Sequence, residues 1–489
     1  MSTYTNGVAN TNTTNVVPVQ GTFDQNNNVI NLVGPGGKTF NPAVLSFDAN
    51  GNPTSIINNK GGYTNFSSLY TKLIQSQLNA KGKNPFDFTS SATQSLVSAV
   101  TVDAAAYSNP VSYGYFDAGG YDRFHICGVP YKDTSLMVTN ASGYIATSYP
   151  SSSSGSGFGG MSFAQNQIGG QLLIARVTCS SLQVNINNFG LSSNYTPIYI
   201  NGVSVVPSVA SNPTTNLQVA FAARGTYDIA VGFEQSLTIK GITIDGDDTI
   251  APLTDVRLSV VVYGDSYTTG TTSPQTIGGL SLCGALSFIG GINAIPQGVT
   301  GTGYVADLSS SGIPLTYLPR LQYLVNVVNA ANSPLIIIPA GWNDVYNNAT
   351  TGAVQTAATN IANYLLANTS ANIIMFGAQP GKWNNSAAVQ AVDAGIANAV
   401  TSINNNRLAF VPESGAIPAW ITGTRDTAHT TGLITGNSRY YTGNDGIHLS
   451  PYQTTVPPSQ ANTSPSSGVE YMARKIIDGM TQTALIRNW

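Results

Sequence analysis

Apolar positions change their period along the chain, and the changes divide it. Up to about residue 60 they alternate in short runs such as Val29-Ile30-Asn31-Leu32-Val33 and Ala43-Val44-Leu45-Ser46-Phe47. Turn-rich GPGGKTFNP and Asp48-Ala49-Asn50-Gly51-Asn52-Pro53 separate the runs. This pattern predicts small β-hairpins. Phe66, Leu69, Tyr70, Leu73, Ile74 and Leu78 then recur at three- and four-residue steps, which predicts a helix. A second helix is expected from Ala92 to about Tyr107, bracketed by Pro85 and Pro110. Residues 61–109 therefore read as a helical linker that packs on a neighbour or trimerises.

From about 110 to 250 the texture is all-β. Short runs including Gln171–Val177, Gln183–Ile186, Leu217–Ala222, Thr226–Phe233 and Ser236–Ile244 alternate with Asn, Gly, Ser and Pro turns. That spacing, with no helix between the runs, predicts an antiparallel sandwich. From 251 to 489 strands and helices alternate. Leu258–Tyr263, Leu335–Pro339, Ile373–Phe376 and Leu408–Val411 are nearly continuous apolar runs, as strands covered on both faces should be. Between and after them fall helical patterns at Ile277–Ile289, Tyr317–Asn329, Ala353–Leu366, Ala387–Ile403 and Val469–Leu485. The expected fold of this region is α/β in three layers, α/β/α, with a flavodoxin-like, mainly parallel sheet.

Composition narrows the partners. Charged residues make up 8% of the 489-residue chain, against about 25% in typical soluble domains. Lys and Arg number 19 and Asp and Glu 22, so the net charge is 19 − 22 = −3. No basic face is available to displace counterions from nucleic acid. The longest apolar stretch, Leu280–Ile295, is broken by Gly284, Gly290, Gly291 and Asn293. It falls short of the roughly 18–20 residues a membrane span needs. The opening MSTYTNGVANTNTTN has neither a basic start nor an apolar core, so a signal peptide is not expected. Cys127, Cys179 and Cys283 are too widely spaced for a disulfide framework or a zinc cluster and read as small buried thiols.

Four segments of the last region carry candidate chemistry. In Val261-Val262-Tyr263-Gly264-Asp265-Ser266-Tyr267 an apolar strand ends in Gly and presents a Ser, where open α/β sheets place their sites. Ser266 there can act as nucleophile, and its N–H as oxyanion donor. In Gln297-Gly298-Val299-Thr300-Gly301-Thr302-Gly303-Tyr304 a Gly backbone N–H can point at a developing oxyanion. In Ala340-Gly341-Trp342-Asn343-Asp344 the Asn343 amide can donate to the same oxygen. In Asn444-Asp445-Gly446-Ile447-His448 a carboxylate and an imidazole three residues apart can form an orienter–base pair. Asp426-Thr427-Ala428-His429 offers a competing pair. Of the three histidines, His448 has the better context, ahead of the last helix and after a Gly turn. His125 lies in a strand-like run and reads as structural.

Together these blocks resemble the SGNH (GDSL-like) hydrolase family over residues 251–489. GDS falls on Gly264-Asp265-Ser266, GxND on Gly341-Trp342-Asn343-Asp344 and DxxH on Asp445 and His448. The resemblance implies a serine esterase. Ser266 is its nucleophile, His448 its base, Asp445 its orienter, and Ser266, Gly301 and Asn343 its oxyanion hole. Gly303 is the alternative to Gly301. Tyr267 stands where the family often has Leu. Tyr267, Trp342 and Tyr304 either line a sugar or acyl pocket or pack in the core. Such a mechanism needs no metal or organic cofactor. Family members acting on carbohydrate esters often carry a β-sandwich or jelly-roll domain ahead of the hydrolase, as residues 110–250 suggest. The first 60 residues resemble the N-terminal parts of bacteriophage tail fibre or tailspike proteins. That resemblance implies a homotrimeric virion protein, attached to other tail proteins through residues 1–60, whose substrate is an O-acetylated bacterial surface polysaccharide.

Overall fold

The computed structural model describes residues 20–23, 29–33, 39–40, 44–47, 53–57, 63–64, 96–102, 104–114, 125–128, 138–139, 145–146, 171–188, 198–201, 203–206, 215–233, 237–251, 257–270, 281–307, 316–378, 387–414, 419–421, 441–442, 446–450 and 468–487. The chain divides into two units, Met1–Lys72 with Ile486–Trp489, and Leu73–Leu485. The helix predicted over residues 66–78 lies outside the described residues.

In the first unit, β1 (Gln20–Phe23), β2 (Val29–Val33) and β3 (Thr39–Phe40) form one antiparallel sheet. Another joins β4 (Val44–Phe47), β5 (Pro53–Ile57) and β6 (Tyr63–Thr64). These are the hairpins the alternation predicts.

The second unit opens with eleven strands in one sheet whose pairings are all antiparallel. They are β7 (Val97–Val102), β8 (Pro110–Gly114), β9 (His125–Cys127), β10 (Val138–Thr139), β11 (Ile145–Ala146) and β12 (Gln171–Asn188). β13 (Ile198–Ile200), β14 (Val203–Val206), β15 (Thr215–Phe233), β16 (Leu237–Asp245) and β17 (Thr249–Ala251) complete the sheet. Where a helix is expected from Ala92 to Tyr107, β7 runs as a strand along β15. Val97, Val100, Thr101 and Val102 are β-branched, and lateral bonding to β15 overrides a weak helical period. Two further pairs of predicted strands fuse. β12 and β15 pair over nearly their whole length, interrupted where Phe221–Arg224 stand opposite Ser180 alone. Around that irregularity Leu173, Val177, Cys179, Leu182, Val219, Phe221 and Ile244 share one core. All three cysteines are buried free thiols.

The rest of the unit is α/β. Five parallel strands, β18 (Ser259–Gly264), β19 (Asn293–Gly298), β20 (Leu335–Ile338), β21 (Asn372–Phe376) and β22 (Leu408–Val411), lie in the order β19-β18-β20-β21-β22. Every residue of β18, β19 and β20 is buried; β18 and β20 accordingly read as nearly continuous apolar runs, whereas Asn293, Pro296 and Gln297 interrupt β19. The helices are α1 (Ser266–Thr269), α2 (Leu282–Gly290), α3 (Leu321–Ala330), α4 (Trp342–Tyr346), α5 (Thr351–Asn368), α6 (Ala387–Ile403) and α7 (Gly468–Gln482). Strand order reverses at β18, and right-handed crossovers then put helices on opposite faces. Accordingly α2 packs with α7, while α5 packs with α6 and α3. Ser281 caps α2 by accepting from the Gly284 N–H at 3.1 Å, and Thr350 caps α5.

The antiparallel sheet meets the α/β part at α2 and at the N-terminal end of β19. Gly128 N–H donates to Asn293 Oδ1 at 2.7 Å, and the Tyr199 ring lies 4.9 Å from that of Phe288. Those contacts sit at the opposite end of the parallel sheet from the strand C-termini. Among the described residues no helix is long and apolar enough to cross a membrane.

Candidate active site

The reversal of strand order opens a crevice at the C-terminal ends of β18, β19 and β20, where ligands bind in such sheets. Three of the four candidate segments follow those three strands. Ser266 begins α1 directly after β18, and Asp265 caps that turn by accepting from the Tyr267 N–H at 3.0 Å. Thr269 Oγ1 donates back to the Ser266 carbonyl at 2.9 Å, which closes the short helix under the nucleophile.

The Gly segment follows β19. Val299 N–H donates to the Gly264 carbonyl at 3.1 Å, so the first two segments are laced together at their base. Gly301 has φ +79, a left-handed conformation that disfavours side chains. At Gly303 a Cβ would collide with the Asp344 carboxylate. The Gly303 N–H is already committed to the Ala306 carbonyl at 2.9 Å. Of the two glycines, Gly303 therefore has its N–H occupied.

Asn343 lies in α4, just after β20. Its Nδ2 donates to the Thr302 carbonyl at 2.8 Å and, at a long 3.4 Å, to Asp265 Oδ2. The second N–H is the one loosely held, and therefore the one free to turn toward a substrate oxygen. Asp344 organises the loop instead of facing the crevice. It accepts from the N–H groups of Tyr304 at 2.8 Å, Val305 at 2.8 Å and Ala306 at 2.9 Å.

The fourth segment brings His448 to the nucleophile: Nε2 and Ser266 Oγ are 3.0 Å apart. Its backbone is fixed on both sides. Leu449 bridges Thr442, and Ser450 Oγ accepts from the Gly468 N–H at 2.9 Å where α7 begins. Tyr267 O–H donates to the Ile447 carbonyl at 2.6 Å, and its ring lies 5.7 Å from the imidazole. Asp445, Asp426 and His429 lie outside the described residues. His125 is in β9, in the antiparallel sheet.

Tyr267, Trp342 and Tyr304 are all buried. Tyr267 holds the His448 loop, and Tyr304 packs at a tilt against Tyr317 with ring centroids 5.1 Å apart. Sequence reasoning missed that role of Tyr267, and Arg320. The Arg320 guanidinium lies buried behind the nucleophile turn and donates to the Gly264 carbonyl. Its one signal was available: a cation in the first turn of a predicted helix, in a chain with few cations.

The site's electrostatics follow from burial. Desolvation pushes the Asp265 carboxyl up to about 7, against the opposing pull of the Tyr267 N–H, His448 and Arg320. Burial also raises Asp344, and its three N–H donors offset part of that rise. Glu413, past the end of β22, is fully buried with neither oxygen hydrogen-bonded, and burial holds it well above the usual carboxylate range. Among the described residues no group of three His, Cys, Asp or Glu side chains can hold a metal ion.

The sheet order and the helical layers define an α/β fold built on a five-stranded parallel sheet. No family model matches the chain, and no curated protein matches it. Solved structures do. The salicylyl-acyltransferase SsfX3 from a tetracycline biosynthetic pathway aligns over 77% of this chain and 98% of its own, at 11% identity and a TM-score of 0.50. A family two carbohydrate esterase from Clostridium thermocellum, in complex with cellohexaose, aligns over 67% and 96%, at 15% identity and a TM-score of 0.45. One of the same family from Cellvibrio japonicus aligns over 78% and 100%, at 14% identity and 0.46. At these identities the likeness is one of fold.

Proposed function

We propose that this protein is a serine ester hydrolase that removes O-acetyl groups from polysaccharide. The observation that carries this reading is the 3.0 Å pair of Ser266 Oγ and His448 Nε2 at the C-terminal end of β18. Asn343 and Gly301 follow the two neighbouring strands. In the proposed reaction Ser266 Oγ attacks the ester carbonyl and its proton passes to His448 Nε2. The tetrahedral oxyanion is held by the N–H groups of Ser266 and Gly301 and by Asn343 Nδ2. His448 then protonates the departing sugar hydroxyl. Water, deprotonated by the same imidazole, cleaves the acyl-enzyme and releases acetate. Asp445 is assigned to orient the second imidazole nitrogen.

The polysaccharide preference draws support from the carbohydrate esterases among the structural neighbours and from a surface solubilised by neutral polar residues. For the setting, we propose a trimeric bacteriophage tail protein that meets an O-acetylated bacterial glycan, with residues 1–60 joining other tail components. Two small antiparallel sheets in a nearly uncharged, Asn- and Gly-rich segment favour that reading. Acetate release from a panel of O-acetylated bacterial polysaccharides, with Ser266→Ala as the blank, tests the proposal. Ser266-dependent release supports it. Turnover of small esters with no release from any polysaccharide limits the activity to other esters.

A further inference from the structure

Arg320 belongs to none of the four segments, yet it lies where they join. Only 3% of its surface is exposed, at the point where a 3-10 turn, Leu318–Arg320, runs into α3. One nitrogen, Nη2, donates both to the Gly264 carbonyl at 3.2 Å and to the Thr302 hydroxyl at 3.1 Å. The guanidinium carbon sits 4.8 Å from the Tyr263 ring centroid and 5.1 Å from that of Tyr317. Its Nε has no hydrogen-bond partner. Among the described residues no carboxylate forms an ion pair with it.

Two physical rules are broken together. A cation at a helix N-terminus opposes the macrodipole, and a buried charge is ordinarily paired. Such breaches concentrate at functional sites. Gly264 leads into Asp265-Ser266, and the Thr302 carbonyl receives the Asn343 amide. One guanidinium thus ties the nucleophile turn to the oxyanion loop and, through Thr302, to Asn343.

We propose that Arg320 is a positioning residue for the hydrolysis, locking the nucleophile turn to the oxyanion loop and placing a buried positive charge at the Gly264 carbonyl that leads into Asp265. The inference rests on the esterase reading above. The charged groups around Asp265 are His448 and Arg320 on the positive side and Asp344 on the negative side. Tyr304, Tyr317 and Glu413 also lie within its field, and burial raises the pKa of all three. Removing Arg320 therefore leaves Asp265 protonated to higher pH. A neutral Asp265 no longer favours the imidazolium that His448 becomes during attack.

The test uses the full chain, with the Asp265 carboxyl followed by carbon-13 NMR after selective aspartate labelling and assigned with Asp265→Asn. Arg320→Met is expected to move its titration midpoint up. In the same variant kcat for p-nitrophenyl acetate is expected to fall about tenfold at pH 7, with KM nearly unchanged, and to recover in part by pH 9. Arg320→Lys keeps the charge and is expected to keep the midpoint. If Arg320→Met does not fold, Arg320→Gln, which retains a donor, gives the same reading. A midpoint that stays put, or a loss of kcat equal at every pH, overturns the proposal. Wild-type protein with no Ser266-dependent turnover overturns the esterase reading and this role with it. Wild-type turnover beside an unshifted midpoint overturns this role alone.

Discussion

Ser266, Asn343 and Tyr267 each make contacts at the site that set an expectation. Ser266→Ala removes the attacking oxygen and is expected to lower kcat by roughly 10³-fold or more, read against the spontaneous hydrolysis rate. Asn343→Ala removes one oxyanion donor and is expected to cost about 2.7–4 kcal/mol of transition-state stabilisation, or about 10²–10³ in kcat. Tyr267→Phe deletes only the hydroxyl that anchors the Ile447 carbonyl. It is expected to lower stability by about 1 kcal/mol and to reduce kcat more than KM, because the imidazole loop loosens while the crevice persists. Thermal melts beside steady-state kinetics separate those two effects.

Elements make their own demands through buried carboxyls. Asp265 after β18 and Glu413 after β22 both have folded-state pKa values raised by burial, Asp265 to about 7. Each binds a proton in the folded state that the unfolded chain has already released. Their contribution to stability is therefore full below the ordinary carboxylate range and is lost as pH rises, for Asp265 between about 4 and about 7. Melting temperature is expected to decline over that interval, and Glu413→Gln is expected to flatten the decline. An unchanged slope in that variant removes Glu413 as a cause. Four of the five parallel strands were legible because burial on both faces leaves runs such as Leu335–Ile338 with no polar residue to confuse the period; β19 was less so, because Asn293, Pro296 and Gln297 break its apolar run. β7 was not, because Val97–Val102 takes its conformation from β15, more than a hundred residues away. β12 and β15 read as two strands apiece because the irregularity opposite Ser180 interrupts their alternation. Three of the four blocks were legible because each follows a strand end, and the fourth because it precedes the last helix. Arg320 was not, because its relation to Gly264 and Thr302 exists only once β18, β19 and α3 are brought together.

At the scale of the whole molecule, charged residues make up only 8% of the chain, which leaves the surface largely to neutral polar side chains. Such a surface meets sugars through hydrogen bonds and aromatic faces more readily than it meets phosphates. The proposed tail setting expects three chains per particle by light scattering, and a monomer contradicts that part of the proposal. The central claim is chemical and is tested most directly by the rate of p-nitrophenyl acetate hydrolysis in wild-type protein and in Ser266→Ala at the same concentration. A wild-type rate far above buffer, falling to the buffer level in Ser266→Ala, is the expected result. Equal rates in the two proteins would contradict it.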